Sequence, residues 1–199
     1  MLAAAALSGS AFSNLVVNGD FENEPNYSFG SGYNLFFGTQ IPGWTIAAGH
    51  GATIHDTTTY PHIAGFSLNT DGEGYNGHNV DMSQNIASVN GLGYELSFDW
   101  EGWIGSQCGF EISVTDTVTN SVLASVTRSF SDSLVVHHEA ASFVGTGNAL
   151  NVRIFENPES TYNDNSFIID DVAVNAVPEP ASMTALAAGI AILIKRRRK

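Results

Sequence analysis

Four carboxylates stand where a strand-built protein needs a reason to put them. Asp20 and Glu22 directly follow a short β-rich run, 15–17, and Asp170 and Asp171 interrupt an otherwise apolar stretch, SFIIDDVAVNA. Simple alternation through 166–176 places Ile168, Asp170, Val172 and Val174 on one face. A carboxylate on a core-facing side is costly unless it is paired or bound to a cation. Before residue 195 the only basic side chains besides histidine are Arg128 and Arg153. Hard oxygen donors drawn from several strands suit Ca²⁺, which takes about six to eight of them, backbone carbonyls included. A solvated turn with an ordinary edge pair of aspartates is the alternative at these residues.

Other groups offer weaker chemistry. Asp71, Glu73, Asn76 and Asp81 in DGEGYNGHNVD could gather a second cation, but without the order of an EF-hand loop a flexible acidic loop is the simpler reading. The histidines, His50, His55, His62, His78, His137 and His138, match no zinc spacing and are read as surface or loop residues. Asp99 and Glu101, with Glu95 nearby, share a strand face as a glycosidase pair might be imagined to, yet residues two apart stand about 7 Å from each other, which is not diagnostic. Cys108 opens a strand in no nucleophilic context and has no second cysteine to pair with. No catalytic group is assigned. Aromatic faces stack on sugar rings, so Tyr33, Phe37, Tyr60, Tyr75 and Trp103 are the candidate ligand-binding residues, with Tyr27 and Phe36 near them.

The elements that must hold these groups are strands. In LGYELSFDWEGW, residues 92, 94, 96, 98 and 100 are apolar or aromatic and face one way, whereas 95, 97, 99 and 101 are polar and face the other. The same alternation returns at 110–114, 122–126 and 150–154, with a less regular run at 135–144 and shorter ones at 43–47, 52–55 and 64–70. Turn signals fall about every ten residues, and no helical period appears before Ser182. The expectation is all-β: two packed antiparallel sheets of about eight to ten strands, with 23–42 as a long loop and Trp44 and Trp100 in the core.

Charge narrows the partners. All twenty acids lie between Asp20 and Glu179, against Arg128 and Arg153 alone, so residues 14–180 carry a net charge of −18. Nucleic acid and anionic polymers are disfavoured; divalent cations, neutral polysaccharides and acidic glycans bridged by a cation are favoured.

Residues 177–199 decide location. Val177, Pro178, Glu179 and Pro180 form a stiff extended start. Residues 181–194 carry no charge, and Lys195, Arg196, Arg197, Arg198 and Lys199 close the chain. Fourteen helical residues cover about 21 Å against about 30 Å of hydrocarbon, a short transmembrane-type helix whose basic end stays cytoplasmic. Residues 1–13 read as the end of a secretory signal, cut after Ser13, although its basic region is missing. The expected plan is a remnant leader at 1–13, a domain at 14–176 and an anchor at 177–199.

The order Pro-Glu-Pro, apolar helix, basic terminus resembles the PEP-CTERM sorting signal of Gram-negative bacteria. That resemblance implies export, a partner exosortase in the membrane, and delivery to the cell surface or extracellular matrix. NLVVNGDFE, residues 14–22, with the Ser-Gln pair Ser83-Gln84 ahead of an apolar strand end, resembles the opening of galactose-binding-like jelly-roll domains, which include many carbohydrate-binding modules. In such domains 15–17 is the first strand, the Gly43-Trp44 pair starts a core strand, the glutamine of the Ser-Gln pair, here Gln84, makes a structural hydrogen bond, and a structural calcium joins a glutamate after the first strand to an aspartate in the last. Carried over, these are Glu22 and Asp170 or Asp171, with Asp20 as a carbonyl donor. The implied function is non-catalytic carbohydrate binding; a structural or adhesive protein acting through protein contacts, or a glycan hydrolase, are the competing readings.

Overall fold

The computed structural model describes residues 13–23, 33–56, 63, 65–70, 79–102, 109–129, 135–157 and 167–177. Eleven strands occur among them: β1 Tyr33–Phe36, β2 Thr45–Ile46, β3 Ala52–Asp56, β4 Phe66–Asn69, β5 Asp81–Ala87, β6 Gly93–Gly102, β7 Gly109–Asp116, β8 Val122–Ser129, β9 His137–Val144, β10 Ala149–Asn157 and β11 Phe167–Ala176. A six-stranded sheet runs in the order β1-β3-β4-β11-β6-β9 and a five-stranded sheet in the order β2-β5-β10-β7-β8, with every pairing antiparallel.

Alternation in the sequence becomes the core between the sheets. Tyr94, Leu96, Phe98 and Trp100 of β6 face Ile112 and Val114 of β7 and Leu150, Val152 and Ile154 of β10, all in one buried cluster. Its aromatic centre is Phe110, in contact with Phe98, Trp100 and Phe167 at centroid separations of 6.0, 5.6 and 4.8 Å. Two arginines bind carboxylates at the margins. Arg128 on β8 reaches across the edge of the sandwich to Glu139 on β9, with Nε donating to Oε1 at 2.8 Å, and Arg153 grips both oxygens of Asp81 at 2.7 and 2.8 Å. Both pairs are partly exposed, so each contributes on the order of 1 kcal/mol or less.

Three expectations are corrected. Residues 15–17 form no strand; side chains bond the backbone of Val16 and Val17 instead. Asn14 Oδ1 accepts from the Val16 and Val174 amides at 2.9 and 3.0 Å, and Gln84 both accepts from Val17 N at 2.9 Å and donates to Val17 O at 3.2 Å. The stretch 23–42 contains β1, whose YNLF lacks a clear alternation but pairs with β3 over four residues. The faces of β11 are not those of simple alternation. Asp171 adopts a left-handed φ of 51°, and the register with β6 shifts between Asp170 and Ala173. This bulge puts one extra residue in β11, so Ile169, Val172 and Val174 join the core while Ile168 and Asp170 turn to the outer face.

The bulge receives the N-terminal segment. Val172 N donates to Gly19 O at 2.9 Å, and Leu15 N donates to Val174 O at 3.0 Å. A Cβ on Gly19 would overlap the Val172 carbonyl, so only glycine fits at this approach. Trp44 closes the knot: it stacks on Phe21 at 6.0 Å, and its Nε1 donates to Asn18 O at 3.0 Å. Gln84→Ala removes both partners of Val17 and should lower unfolding stability by about 1–3 kcal/mol; urea denaturation with an unchanged midpoint would contradict the role given to Gln84.

Candidate functional site

The knot and the bulge together gather the four carboxylates. Asp20 and Asp171 line one open cleft of about 320 Å³, with Asn14, Asn18 and Gly19. Glu22 reaches the start of β4, where its Oε1 accepts from Phe66 N at 2.8 Å and lies where a Cβ on Gly65 would be. Asp170 is the buried member, 3% exposed, with Oδ1 accepting from Asp171 N at 2.7 Å. Burial pushes its carboxyl up from 3.8 to about 8, and the negative charges of Asp171, Glu22 and Asp20 push the same way. Asp170 therefore feels the other three. Among the described residues, however, no three His, Cys, Asp or Glu side chains are arranged as a ready ligand set.

Asp170 belongs to a polar row on the outer face of the six-stranded sheet. Register partners point to the same side, so Tyr33, His55 and Ser67 align across β1, β3 and β4, and Asp170, Asp99 and His138 align across β11, β6 and β9. The two runs meet where β4 pairs with β11. His55 Nε2 lies 3.1 Å from Asn69 Nδ2, and Tyr33 packs its ring on His55 at 5.8 Å. At the far edge, His138 Nδ1 meets Asp99 Oδ1 at 2.6 Å. The middle of the row is buried, whereas Tyr33 is half-exposed and His138 exposed. One row further along stands Glu101, 1% exposed, whose carboxyl burial raises to about 7.

The histidine expectation needs correcting at one position: His55 lies in β3 and is buried on the outer face beside Asn69, whereas His137 keeps partial exposure while stacking on Trp100 at 4.7 Å. Asp99 and Glu101 do share a face, but Glu101 is sealed from solvent and Asp99 is engaged by His138.

Of the expected ligand-binding aromatics, Tyr33 sits in β1 rather than a loop, and Phe37 follows it, exposed. Tyr60, Tyr75 and Trp103 lie outside the described residues, as do the second acidic loop up to His78, Cys108, and the tail after Val177 with Pro178, Glu179, Pro180 and the basic block 195–199. Among the described residues no helix is long and apolar enough to cross a membrane. The polar row was missed in the sequence because its members are single alternate residues of six strands, and only the strand order brings them together.

Comparison with known proteins places this geometry. A family 16 carbohydrate-binding module aligns with a TM-score of 0.53 at 15% identity, covering 81% of this chain and 99% of that one. The enzymatically active domain of tailspike protein 4 from bacteriophage CBA120 aligns at 0.49 and 14% identity, over 82% of this chain but only 21% of the tailspike, about a fifth of its length. The CBM22-1 xylan-binding domain of Xyn10C from Paenibacillus barcinonensis aligns at 0.47 and 14%, over 72% and 90%. No curated protein sequence matches. At these identities the likeness is one of fold: a two-sheet antiparallel sandwich like the jelly rolls of carbohydrate-binding modules. The family model described as "Protein of unknown function (DUF642)" matches residues 14–175, and the chain belongs to that family.

Proposed function

We propose that the domain is a non-catalytic glycan-binding module of an exported protein, sorted to the cell envelope or matrix by residues 177–199 through an exosortase. The observation that carries the binding reading is the polar outer face of the six-stranded sheet. His55, Ser67 and Asn69 in the middle of this face are buried by the chain itself, so what the face offers a ligand is its margins, an aromatic ring, Tyr33, at one and a hydrogen-bonding pair, Asp99 and His138, at the other. Aromatic stacking joined to planar hydrogen-bonding groups is the chemistry that sugar rings require. The net charge of −18 favours neutral glycans, or acidic ones bridged by a cation. Export rests on the uncharged run 181–194 and its basic end.

Calcium belongs to the same reading. The buried Asp170 has three further carboxylates around it, while Arg128 and Arg153 are engaged by Glu139 and Asp81. A cation held by Asp170, with Asp20, Glu22 and Asp171 and backbone carbonyls completing the shell, would keep Asp170 ionised and tie the N-terminal knot to β11. Because the side chains are not pre-set as ligands, the ion would have to draw them in.

Retention on immobilised polysaccharides, neutral and acidic, with calcium present, tests the binding reading. Tyr33→Ala should weaken retention roughly tenfold, the worth of about 1–1.5 kcal/mol of aromatic contact; no retention on any glycan would end it. A second expectation concerns pH. The folded-state carboxyls of Asp170 and Glu101 lie above their unfolded values, so the folded protein holds those protons more tightly. In chelator, the stability they contribute is present at low pH and lost as pH rises from about 4 to about 8. Asp170→Asn should flatten that decline, and Ca²⁺ added at pH 8 should raise Tm by several degrees. A melting temperature indifferent to both chelator and calcium would contradict the metal assignment.

A further inference from the structure

The end of the sandwich from which the chain departs toward residue 178 differs from the rest of the molecule. Three turns form it: 88–92 between β5 and β6, 117–121 between β7 and β8, and 145–148 between β9 and β10. They are sewn together. Gly91 N donates to Gly145 O and Gly145 N to Leu92 O, both at 2.8 Å; Ser88 Oγ donates to Asn148 O at 2.8 Å; Thr117 N donates to Ala149 O at 3.1 Å. Val177 N, the last described residue's amide, donates to Gly93 O at 2.8 Å, so the exit of the chain is fixed to this end.

In a chain with twenty acids, none of these turns contains a charged residue. Asp116, which adjoins the 117–121 turn, has its carboxylate engaged by the turns themselves. Hydrogen bonds from Thr146, from the Thr119 and Val118 amides and from Asn148 hold it well below the usual carboxylate range. What the end presents outward is Gly, Ser, Thr and Asn, with the valines Val89, Val118, Val144 and Val177 standing between 41% and 69% exposed. Beneath them, shallow apolar hollows open on either side of Tyr94, one lined by Phe143, Val144 and Val177 and the other by Leu15, Val89 and Leu92.

Chain length says what this end meets. From Val177 to Ala181, the first residue of the uncharged run, is four residues, at most about 14 Å when extended. A bilayer's polar headgroup layer is about 7 Å deep on each side of its hydrocarbon. With the basic end held at the far interface, a helix of about 21 Å in about 30 Å of hydrocarbon begins about 9 Å below the near headgroups. A tether of about 14 Å therefore uses about 9 Å in hydrocarbon and ends inside the headgroup layer, and the end carrying Val177 has no room to stand clear. It is also the end that an acidic domain can bring there at least electrostatic cost. We propose that this valine-tipped end, whose turns carry no charge, lies against the outer surface of the bilayer, seating the domain on lipid and turning the opposite end of the sandwich away from it. The inference rests on the reading of 181–194 as a membrane segment and adds a contact surface that this reading alone does not supply.

The test uses the full chain in phosphatidylcholine vesicles, with Cys108→Ser and a single environment-sensitive label on Val118→Cys, or on Ser129→Cys at the other end of β8 as control. Both sites are exposed, so neither label disturbs the core. Lipids carrying a headgroup-level spin quencher should remove most of the fluorescence at 118 and leave 129 nearly unchanged. Protein that floats with the vesicles while both labels stay bright overturns the seating and leaves the anchor reading intact. Protein that does not float overturns both. Quenching at 118 that appears only with rising protein density, in vesicles without quencher, would mean that a second copy of the chain covers this end, and the proposal fails.

Discussion

The structure depends on one bent residue. With Asp171 in the left-handed region, β11 gains a residue against β6, and three consequences follow from that single bulge. The Val172 amide is freed from the ladder and bonds to Gly19, the apolar side chains after it fall back into the core, and Asp170 is swung to the outer face. Aspartate tolerates this conformation better than most residues, at a cost of about 1 kcal/mol. The cost is offset by the N-terminal knot, which closes through Gly19, Asn14, Gln84 and Trp44. First and last segments of the domain are thereby one packing unit.

That arrangement explains why the acids cluster. A carboxylate at position 170 would be unremarkable on an open surface; buried beside Asp171, Glu22 and Asp20, it is held largely protonated near neutral pH unless a cation joins it. The same residue lies in the polar row that runs from Tyr33 to His138. An ion at the knot and a ligand on the sheet would thus share Asp170 as neighbour, so that stability and binding are linked through one side chain.

Much of this was legible in the chain. Regular alternation marked β6, β7, β8 and β10, because in each the face toward the core is apolar and the other is mostly polar, so the period of two survives in the sequence. Trp100 was placed in the core by the same alternation, and Gln84 and Trp44 took their structural roles from the resemblance to jelly-roll domains. The bulge was not legible, since an Asp-Asp pair inside an apolar run does not say which of the two takes the extra place, and every face after it depends on that choice. Nor was the knot, where 15–17 has strand composition but bonds to side chains from residues 14 and 84. The outer polar row was hidden for a different reason: its members come from six separate strands, brought into line only by the order β1-β3-β4-β11-β6-β9.

The central claim is that the outer face of this sheet is a binding face. Backbone amide shifts recorded by NMR while an oligosaccharide retained by the protein is titrated in would locate the contact directly. The account predicts the largest changes at Tyr33, Phe37, His55, Asp99 and His138. Changes confined to the five-stranded sheet, β2-β5-β10-β7-β8, would contradict it.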